Sequence, residues 1–274
     1  MKEKILYISD LDGTLLKNDV TLSDFTVDAI NSLIKKGMLF SFATARSRYT
    51  SSELTSRLGI NTPVIIYNGT FICDIKTGKR LISNNFSKED AQKILDRLLK
   101  NGVHPMIHAF LGDKEKYLFN EKMMSVAMAD FQSKRKTDER RTPIDVYDIE
   151  PYEVFYFTCI DEEEKLYPLF LEFKDDFQCL YTKDIYSGDY WLEILPNRAT
   201  KASAVRELKG LLECDKVICF GDGTNDIAMF HEADEAYAVS NAHSELKKYA
   251  TSVIDSNEND GVANWLLKNY KPTD

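Results

Sequence analysis

The first and last thirds of the chain alternate short apolar runs with helical patterns, and this alternation constrains the fold more than any other feature. An apolar run from Lys4 to Ser9 is followed by a helical stripe after Ser23, a second run from Met38 to Ala43 and a third from Val64 to Tyr67. Short strands that alternate with helices predict βαβ units and therefore a parallel α/β sheet.

The last third repeats this order. The pattern predicts a helix over about 201–212, a strand over 217–220, a helix from about Asn225, a strand near 236–239 and a final helix that ends near Tyr270. We interpret the two outer segments as halves of one doubly wound sheet.

The middle of the chain follows a different pattern. Residues 83–189 contain hairpin-like strands with intervening helices, which is typical of an α+β unit. A chain of 274 residues also exceeds the usual size of one domain. We therefore predict a discontinuous α/β core, residues 1–82 and 190–274, and a separate inserted α+β domain, residues 83–189.

Composition excludes several classes of partner. A net charge of −9 and a pI near 5.1 argue against nucleic acid, because phosphate-rich polymers bind to clustered Lys and Arg. The basic stretch of residues 134–141 is interpreted as a solvated face, with attraction of an anionic substrate as the alternative. No apolar run approaches the ~18 residues of a membrane span, so a cytoplasmic protein is expected. The five cysteines lack the paired spacing of a zinc site or a disulfide framework.

Two acidic loops follow predicted strands. Asp10-Leu11-Asp12-Gly13-Thr14 comes after the first strand, and Gly221-Asp222-Gly223-Thr224-Asn225-Asp226 comes after a strand of the last third. Open α/β sheets bind ligands at the carboxyl ends of their strands. Clustered carboxylates there need a cation or a shared proton, and oxygen ligands suit Mg²⁺. Asp10, Asp222 and the backbone carbonyl of Asp12 are the predicted metal ligands.

Two further segments are suited to bind an anion. Thr44, Ala45 and Arg46 end the second strand just before a helix, and a helix start attracts anions. Lys201 begins a predicted helix, where a cation opposes the helix macrodipole and so needs either full solvation or a nearby anion. Both segments are expected at the same sheet edge as the acidic loops.

Taken in this order, the four elements resemble the haloacid dehalogenase superfamily: Asp-x-Asp-Gly-Thr, a Thr at a strand end, a Lys at a helix start, and Gly-Asp-Gly-x-Asn-Asp. The long insert and the segments Asn68-Gly69-Thr70 and Asn259-Asp260-Gly261-Val262-Ala263 are similar to the Cof-like branch, which carries a C2-type cap. The chain departs from the family at Ala45, where Gly is common.

The resemblance implies a Rossmann-like core, an inserted cap domain and Mg²⁺-dependent hydrolysis of a small phosphorylated metabolite. It implies that Asp10 is the nucleophile and becomes phosphorylated, and that Asp12 is the general acid and base. Phosphate oxygens would be bound by Thr44, Lys201, Asn225 and the backbone near Leu11, Asp12 and Ala45. Asp226 would be either a metal ligand through water or an orienting residue, and Arg46 would be an orienting residue.

Two other functions share this pattern. A phosphomutase uses the same aspartyl-phosphate chemistry but returns the phosphoryl group to a second hydroxyl. A non-catalytic phosphate-binding module is the third reading, which the presence of all the motif residues disfavours. The residues that select the substrate are expected in the insert, with Tyr186 and Tyr190 as candidates, and the sequence indicates no oligomeric state.

Overall fold

A computed structural model describes residues 3–184 and 187–272 of the chain. The chain divides into two compact units, Met1–Ser83 with Ala199–Asp274 and, between them, Asn84–Arg198. Among the described residues, no helix has both the length and the apolar character that a membrane crossing requires.

The first segment of the core forms two kinds of sheet. Its elements are β1 (Ile5–Ser9), α1 (Asp24–Lys35), β2 (Leu39–Phe42), α2 (Arg48–Leu54), β3 (Val64–Ile66), β4 (Phe71–Cys73) and β5 (Arg80–Ser83). The hydroxyl of Ser23 accepts the N–H of Thr26 and so caps α1, as the sequence predicts. Strands β1 and β2 pair in parallel, whereas β3, β4 and β5 form an antiparallel sheet of their own.

The third predicted strand therefore lies outside the main sheet. It is linked to that sheet by a single parallel bridge between Ala43 and Ile65. On its other edge β3 pairs with β4 through the turn at Asn68-Gly69, because a tight turn joins antiparallel neighbours.

The middle unit contains one six-stranded sheet. Its elements are α3 (Lys88–Lys100), β6 (Met106–Leu111), β7 (Lys114–Phe119), α4 (Val126–Ser133), β8 (Arg141–Pro143), β9 (Glu153–Asp161), α5 (Glu163–Phe173), β10 (Gln178–Lys183) and β11 (Tyr190–Leu195). The strand order is β10-β11-β9-β6-β7-β8. Apolar residues of α3 and α5 pack with those of the sheet in one buried cluster.

The predicted boundary at residues 189/190 differs from the structure. Strand β11, which the sequence assigned to the core, pairs with β9 and β10 in the sheet of the insert. The second crossing between the units lies instead at Arg198/Ala199. The sequence of a single strand does not indicate which sheet it joins. Here β11 belongs to the sheet of the insert because it pairs antiparallel with β9 and β10. Tyr190 lies on β11, and Tyr186 lies outside the described residues.

The basic stretch of the insert is largely paired with carboxylates. Lys134 contacts Asp130, and Arg141 contacts Glu121. Arg140 contacts both Asp138 and Glu115. Lys134 is 68% exposed, as predicted for a solvated face, but the side chains of Arg140 and Arg141 are only 13% and 18% exposed, so the prediction is wrong for these two residues.

The last segment completes the parallel sheet. Its elements are α6 (Lys201–Leu211), β12 (Lys216–Gly221), α7 (Ile227–Glu232), β13 (Glu235–Val239), α8 (Ser244–Lys247), β14 (Ser252–Ile254) and α9 (Gly261–Asn269). The strand order is β14-β13-β12-β1-β2, and every pair is parallel. The predicted α/β fold with a doubly wound parallel sheet and an α+β insert is confirmed. All five cysteines are free thiols.

Candidate active site

Two acidic loops leave neighbouring strands at the same edge of the parallel sheet. Ser9 of β1 is in register with Phe220 of β12, and the N–H of Asp10 donates to the carbonyl of Phe220 over 2.9 Å. The loops that begin at Asp10 and Gly221 therefore start side by side. This is the juxtaposition that the two strand-end motifs predict.

Gly13 lets the two loops approach each other closely. Its φ is +71°, and a Cβ at this position would lie 2.3 Å from Oδ2 of Asp222. Glycine is therefore required both by the backbone conformation and by the available space. Next to it, the hydroxyl of Thr14 donates to Oδ1 of Asp222 over 3.0 Å.

Lys201 connects the two loops through its ammonium group. Its Nζ lies 2.5 Å from Oδ1 of Asp10 and 2.7 Å from Oδ1 of Asp226. The exposed fractions are 3% for Lys201, 6% for Asp10 and 0% for Asp226, so the charges interact away from water. Of the two readings of Lys201, the structure supports the one in which a nearby anion offsets its position at the helix start.

Burial governs the proton affinities in this cluster. Desolvation raises the pKa of Asp10 well above its usual value, nearby carboxylates raise it further, and Lys201 opposes both effects. Desolvation and the charge of Asp226 raise the pKa of Asp222 to about 6. Burial alone would lower the pKa of Lys201, but Asp10 and Asp226 outweigh it and keep that pKa above its usual range.

Asp226 has both carboxylate oxygens engaged by donors of the protein. Oδ1 accepts from Lys201, and Oδ2 accepts the backbone N–H groups of Asp222 (3.1 Å) and Gly223 (3.0 Å). Asp226 therefore fixes the shape of the second acidic loop as well as the position of the ammonium group. This geometry favours an orienting role over that of a direct metal ligand.

Asp12 forms a two-bond contact with Arg46. The guanidinium donates to both carboxylate oxygens over 2.7 and 2.6 Å, and the side chain of Asp12 is 48% exposed. Asp12 thus lies at the solvent side of the loop, whereas Asp10 is buried. The sequence placed Arg46 at the correct sheet edge but gave no signal of this pairing.

Thr44 has a hydroxyl that is ready to donate. The residue is fully buried, and its Oγ1 accepts the backbone N–H of Arg46 over 3.1 Å. Because Oγ1 already accepts this bond, its proton is directed elsewhere, as recognition of an anion requires. Ala45 next to it is exposed.

The remaining predicted residues differ in exposure. Leu11 is fully buried, so only its backbone is available to a ligand. Asn225 is exposed, and its Oδ1 lies close to Gly223, where an added Cβ would be 2.4 Å away. Thr14 was recognised only as part of a motif, and its bond to Asp222 is a contact that the sequence did not predict.

The donor set of the cluster fits a hard divalent cation. Carboxylate oxygens of Asp10, Asp222 and Asp226 lie within 4.8 Å of one another. Such all-oxygen sites suit Mg²⁺ better than softer metals, and a cation there would relieve the repulsion that raises the pKa values of Asp10 and Asp222.

Comparison with known proteins places this geometry in a family. The model of the haloacid dehalogenase-like hydrolase family matches residues 7–266. The 5-amino-6-(5-phospho-D-ribitylamino)uracil phosphatase YwtE of Bacillus subtilis is 28% identical, over 94% of this chain and 95% of that protein. The HMP-PP phosphatase of Yersinia enterocolitica is also 28% identical, over 94% of this chain and 92% of that protein.

Solved structures agree at the level of the fold. TM0651 from Thermotoga maritima has a TM-score of 0.81 at 24% identity and covers 100% of this chain and 99% of its own. A haloacid dehalogenase-like hydrolase from Bacteroides thetaiotaomicron has a TM-score of 0.79 at 21% identity, over 98% of this chain and 100% of its own. These values confirm the fold, and the family model confirms the resemblance that the four sequence elements indicated.

Proposed function

This chain belongs to the haloacid dehalogenase-like hydrolases and is a phosphatase of the Cof-like branch, and on that premise we propose that it hydrolyses small phosphorylated metabolites through a phosphorylated Asp10 with the help of Mg²⁺. One observation carries the proposal. Asp10 is a buried carboxylate beside a buried lysine and two further carboxylates, at the carboxyl ends of adjacent parallel strands.

Asp10 is proposed as the nucleophile. One of its carboxylate oxygens attacks phosphorus, the bond between phosphorus and the leaving oxygen breaks, and a phosphorylated Asp10 results. The carboxylate must be ionised for this step, and Lys201 at 2.5 Å stabilises the charge against burial. Water then attacks the same phosphorus and releases inorganic phosphate and free Asp10.

Asp12 is proposed to move the protons in both steps. It gives a proton to the leaving oxygen and later takes one from the attacking water. Arg46 donates one hydrogen bond to each of its oxygens in the structure, which leaves a second lone pair on each oxygen for the proton that is transferred. Arg46 is thus proposed to orient Asp12 toward the leaving group.

The phosphoryl oxygens are proposed to be bound by residues of three loops. The hydroxyl of Thr44, the ammonium of Lys201 and the amide of Asn225 would donate to them, together with the backbone N–H groups of Leu11, Asp12 and Ala45. Charge develops on these oxygens during phosphoryl transfer, so fixed donors stabilise the transition state.

Asp10, Asp222 and the backbone carbonyl of Asp12 would hold Mg²⁺. Asp226 is left out of this set because both of its oxygens accept other hydrogen bonds. When bound, the ion neutralises negative charge, so that an anionic substrate can approach a carboxylate nucleophile.

The names of related proteins support the proposal that the substrate is a small molecule. The names of the two phosphatases compared above refer to a phosphoribitylaminouracil and to HMP-PP. We propose a monoester of the same size class for this chain, selected by the insert.

The test is phosphate release from a broad set of phosphorylated metabolites. Wild-type enzyme should release inorganic phosphate with Mg²⁺ and stop in excess chelator, and added Mg²⁺ should restore the rate. Asp10→Asn should release none, whereas Asp28→Asn, which alters an exposed carboxylate on α1, should match wild type. Full activity in excess chelator would contradict the proposed need for Mg²⁺. Transfer of the phosphoryl group to a second hydroxyl without release of inorganic phosphate would indicate a mutase.

A further inference from the structure

A turn with an unusual backbone follows β3 in the core. Tyr67, Asn68 and Gly69 have φ values of +50°, +53° and +101°. Left-handed backbone is unfavourable for a residue with a Cβ, and tyrosine has no side-chain group that offsets it locally. A strained conformation of this kind persists only where the surrounding structure imposes it.

One side of the turn is bonded to the strand end that carries Thr44. The N–H of Asn68 donates to the carbonyl of Thr44 over 2.9 Å, and the N–H of Tyr67 donates to the carbonyl of Arg46 over 3.1 Å. These two bonds use the amides of the left-handed residues. The conformation of the turn is thereby tied to the loop that holds Thr44.

The other side of the turn touches the start of α6. A Cβ on Gly69 would lie 2.1 Å from the carbonyl oxygen of Thr200 and 3.0 Å from the backbone nitrogen of Lys201. Thr200 is the N-cap of α6, and its hydroxyl accepts the N–H of Ser203. No side chain fits between the turn and this helix start without displacing one of them.

Asn68 fits this site through its backbone preference. Asparagine tolerates left-handed backbone better than most residues. Its side chain is buried, but its Oδ1 has no hydrogen-bond partner in the described part of the chain. A hydrogen bond of the side-chain oxygen therefore does not explain why asparagine occupies this position, whereas its tolerance of left-handed backbone does.

From these contacts we infer that the turn at residues 67–69 is a positioning element, which sets the start of α6, and with it Lys201, at a fixed distance from Thr44. The turn acts through these two residues and does not itself bind phosphate. The inference rests on the proposed function, in which Thr44 and Lys201 bind the phosphoryl oxygens.

Binding of inorganic phosphate in the presence of Mg²⁺, measured by titration calorimetry, tests the inference. Gly69→Ala should raise the Kd at least about tenfold, because the new Cβ displaces the helix start. Gly102→Ala is the matched control: its φ is +69°, but nothing lies within 4 Å of the added Cβ. This control should bind within about twofold of wild type.

A double-mutant cycle separates positioning from general damage. If the turn acts through Lys201, Gly69→Ala should weaken binding by less than about threefold in a Lys201→Met background. An equal loss in both backgrounds, or wild-type affinity of Gly69→Ala, overturns the inference. Failure of the wild-type enzyme to bind phosphate would instead contradict the proposed function, so the two failures are distinct.

A second pair of variants keeps the test valid if Gly69→Ala does not fold. Asn68→Gly and Asn68→Val both remove the amide, but glycine adopts left-handed backbone without strain, whereas valine is strained in it. We expect Asn68→Gly to bind phosphate within about threefold of wild type and Asn68→Val to bind at least about tenfold more weakly. Equal affinities of the two variants would overturn the inference.

Discussion

Lys201 shows how one buried charge organises the proposed active site. An ammonium group at a helix start opposes the macrodipole and loses hydration when it is buried. Asp10 and Asp226 offset both costs at distances of 2.5 and 2.7 Å. Burial raises the pKa of Asp10, and the contact with Lys201 opposes this rise, so stability and the proposed chemistry depend on one cluster.

Replacement of Asp12 by Asn is expected to slow turnover while the fold remains intact. An amide cannot give a proton to the leaving oxygen or take one from water, and general acid and base help is worth about 10²–10⁴-fold in kcat. The side chain is half-exposed, so its replacement leaves the core unchanged. Steady-state kinetics of Asp12→Asn, with Asp28→Asn as the control variant, measures this loss. An unchanged kcat in Asp12→Asn would show that Asp12 does not act as the general acid and base.

Magnesium affinity is expected to fall in acid. The carboxyl groups of Asp10 and Asp222 have raised pKa values, that of Asp222 about 6, because they are buried near other carboxylates. Bound Mg²⁺ requires the ionised forms of both carboxyl groups, so protons compete with Mg²⁺ for these groups as the pH drops through about 6. For each proton that Mg²⁺ must displace, the affinity for Mg²⁺ should fall up to about tenfold per pH unit. Calorimetric titration at several pH values tests this, and a constant Kd between pH 5 and 8 would contradict it.

Residue types were predictable where local rules governed them. The position of Lys201 at a helix start indicated either full solvation or a nearby anion, and Asp10 and Asp222 followed apolar strands that could be recognised. The contact between Arg46 and Asp12 was not predictable, because it depends on the spacing of two loops on adjacent strands. No local pattern encodes that spacing.

At the scale of elements, close packing of two loops decides the geometry of the site. The space between Gly13 and the side chain of Asp222 is too small for a methyl group. The loop that contains Gly13 is therefore closely packed against Asp222.

Gly13→Ala is expected to weaken Mg²⁺ binding at least about tenfold, because the added Cβ overlaps Oδ2 of Asp222 and separates the proposed ligands. The matched control is Gly112→Ala, which has a φ of +59° but nothing within 4 Å of its added Cβ. Both variants carry the backbone penalty of about 1 kcal/mol, which thermal melts measure. Equal Mg²⁺ affinity of the two variants would show that the overlap is harmless.

Elements were predictable from periodicity, but their partners were not. The predicted helices and strands of the outer segments agree with the structure to within a few residues, whereas the sequence analysis did not predict the edge strand β14 or the short helix α8. Strand β11 was assigned to the wrong unit and β3 to the wrong sheet, because pairing is decided by the neighbours that a strand meets in the fold.

At the scale of the whole molecule, the proposed division of labour follows the two units. Every residue proposed to bind phosphate or metal lies in the segments Met1–Ser83 and Ala199–Asp274. The unit Asn84–Arg198 is left to select the organic group, which would explain how one core serves different substrates.

Exchange of Asn84–Arg198 for the corresponding unit of a relative with another substrate preference is expected to transfer that preference. The ratio of kcat/KM values for the two preferred substrates is the readout, and the rate on a generic aryl phosphate serves as the control for an intact core. A folded, active chimera that keeps the original preference would place selectivity in the core.

Asp10 is proposed to carry the phosphoryl group between the two steps. Acid quenching of the enzyme within the first turnover, followed by peptide mass spectrometry, measures this directly. The peptide that contains Asp10 should carry a phosphoryl group, which should be absent in Asp10→Asn and form more slowly in Lys201→Met. Phosphate release by Asp10→Asn at the wild-type rate, or a phosphoryl group on another residue, would contradict it.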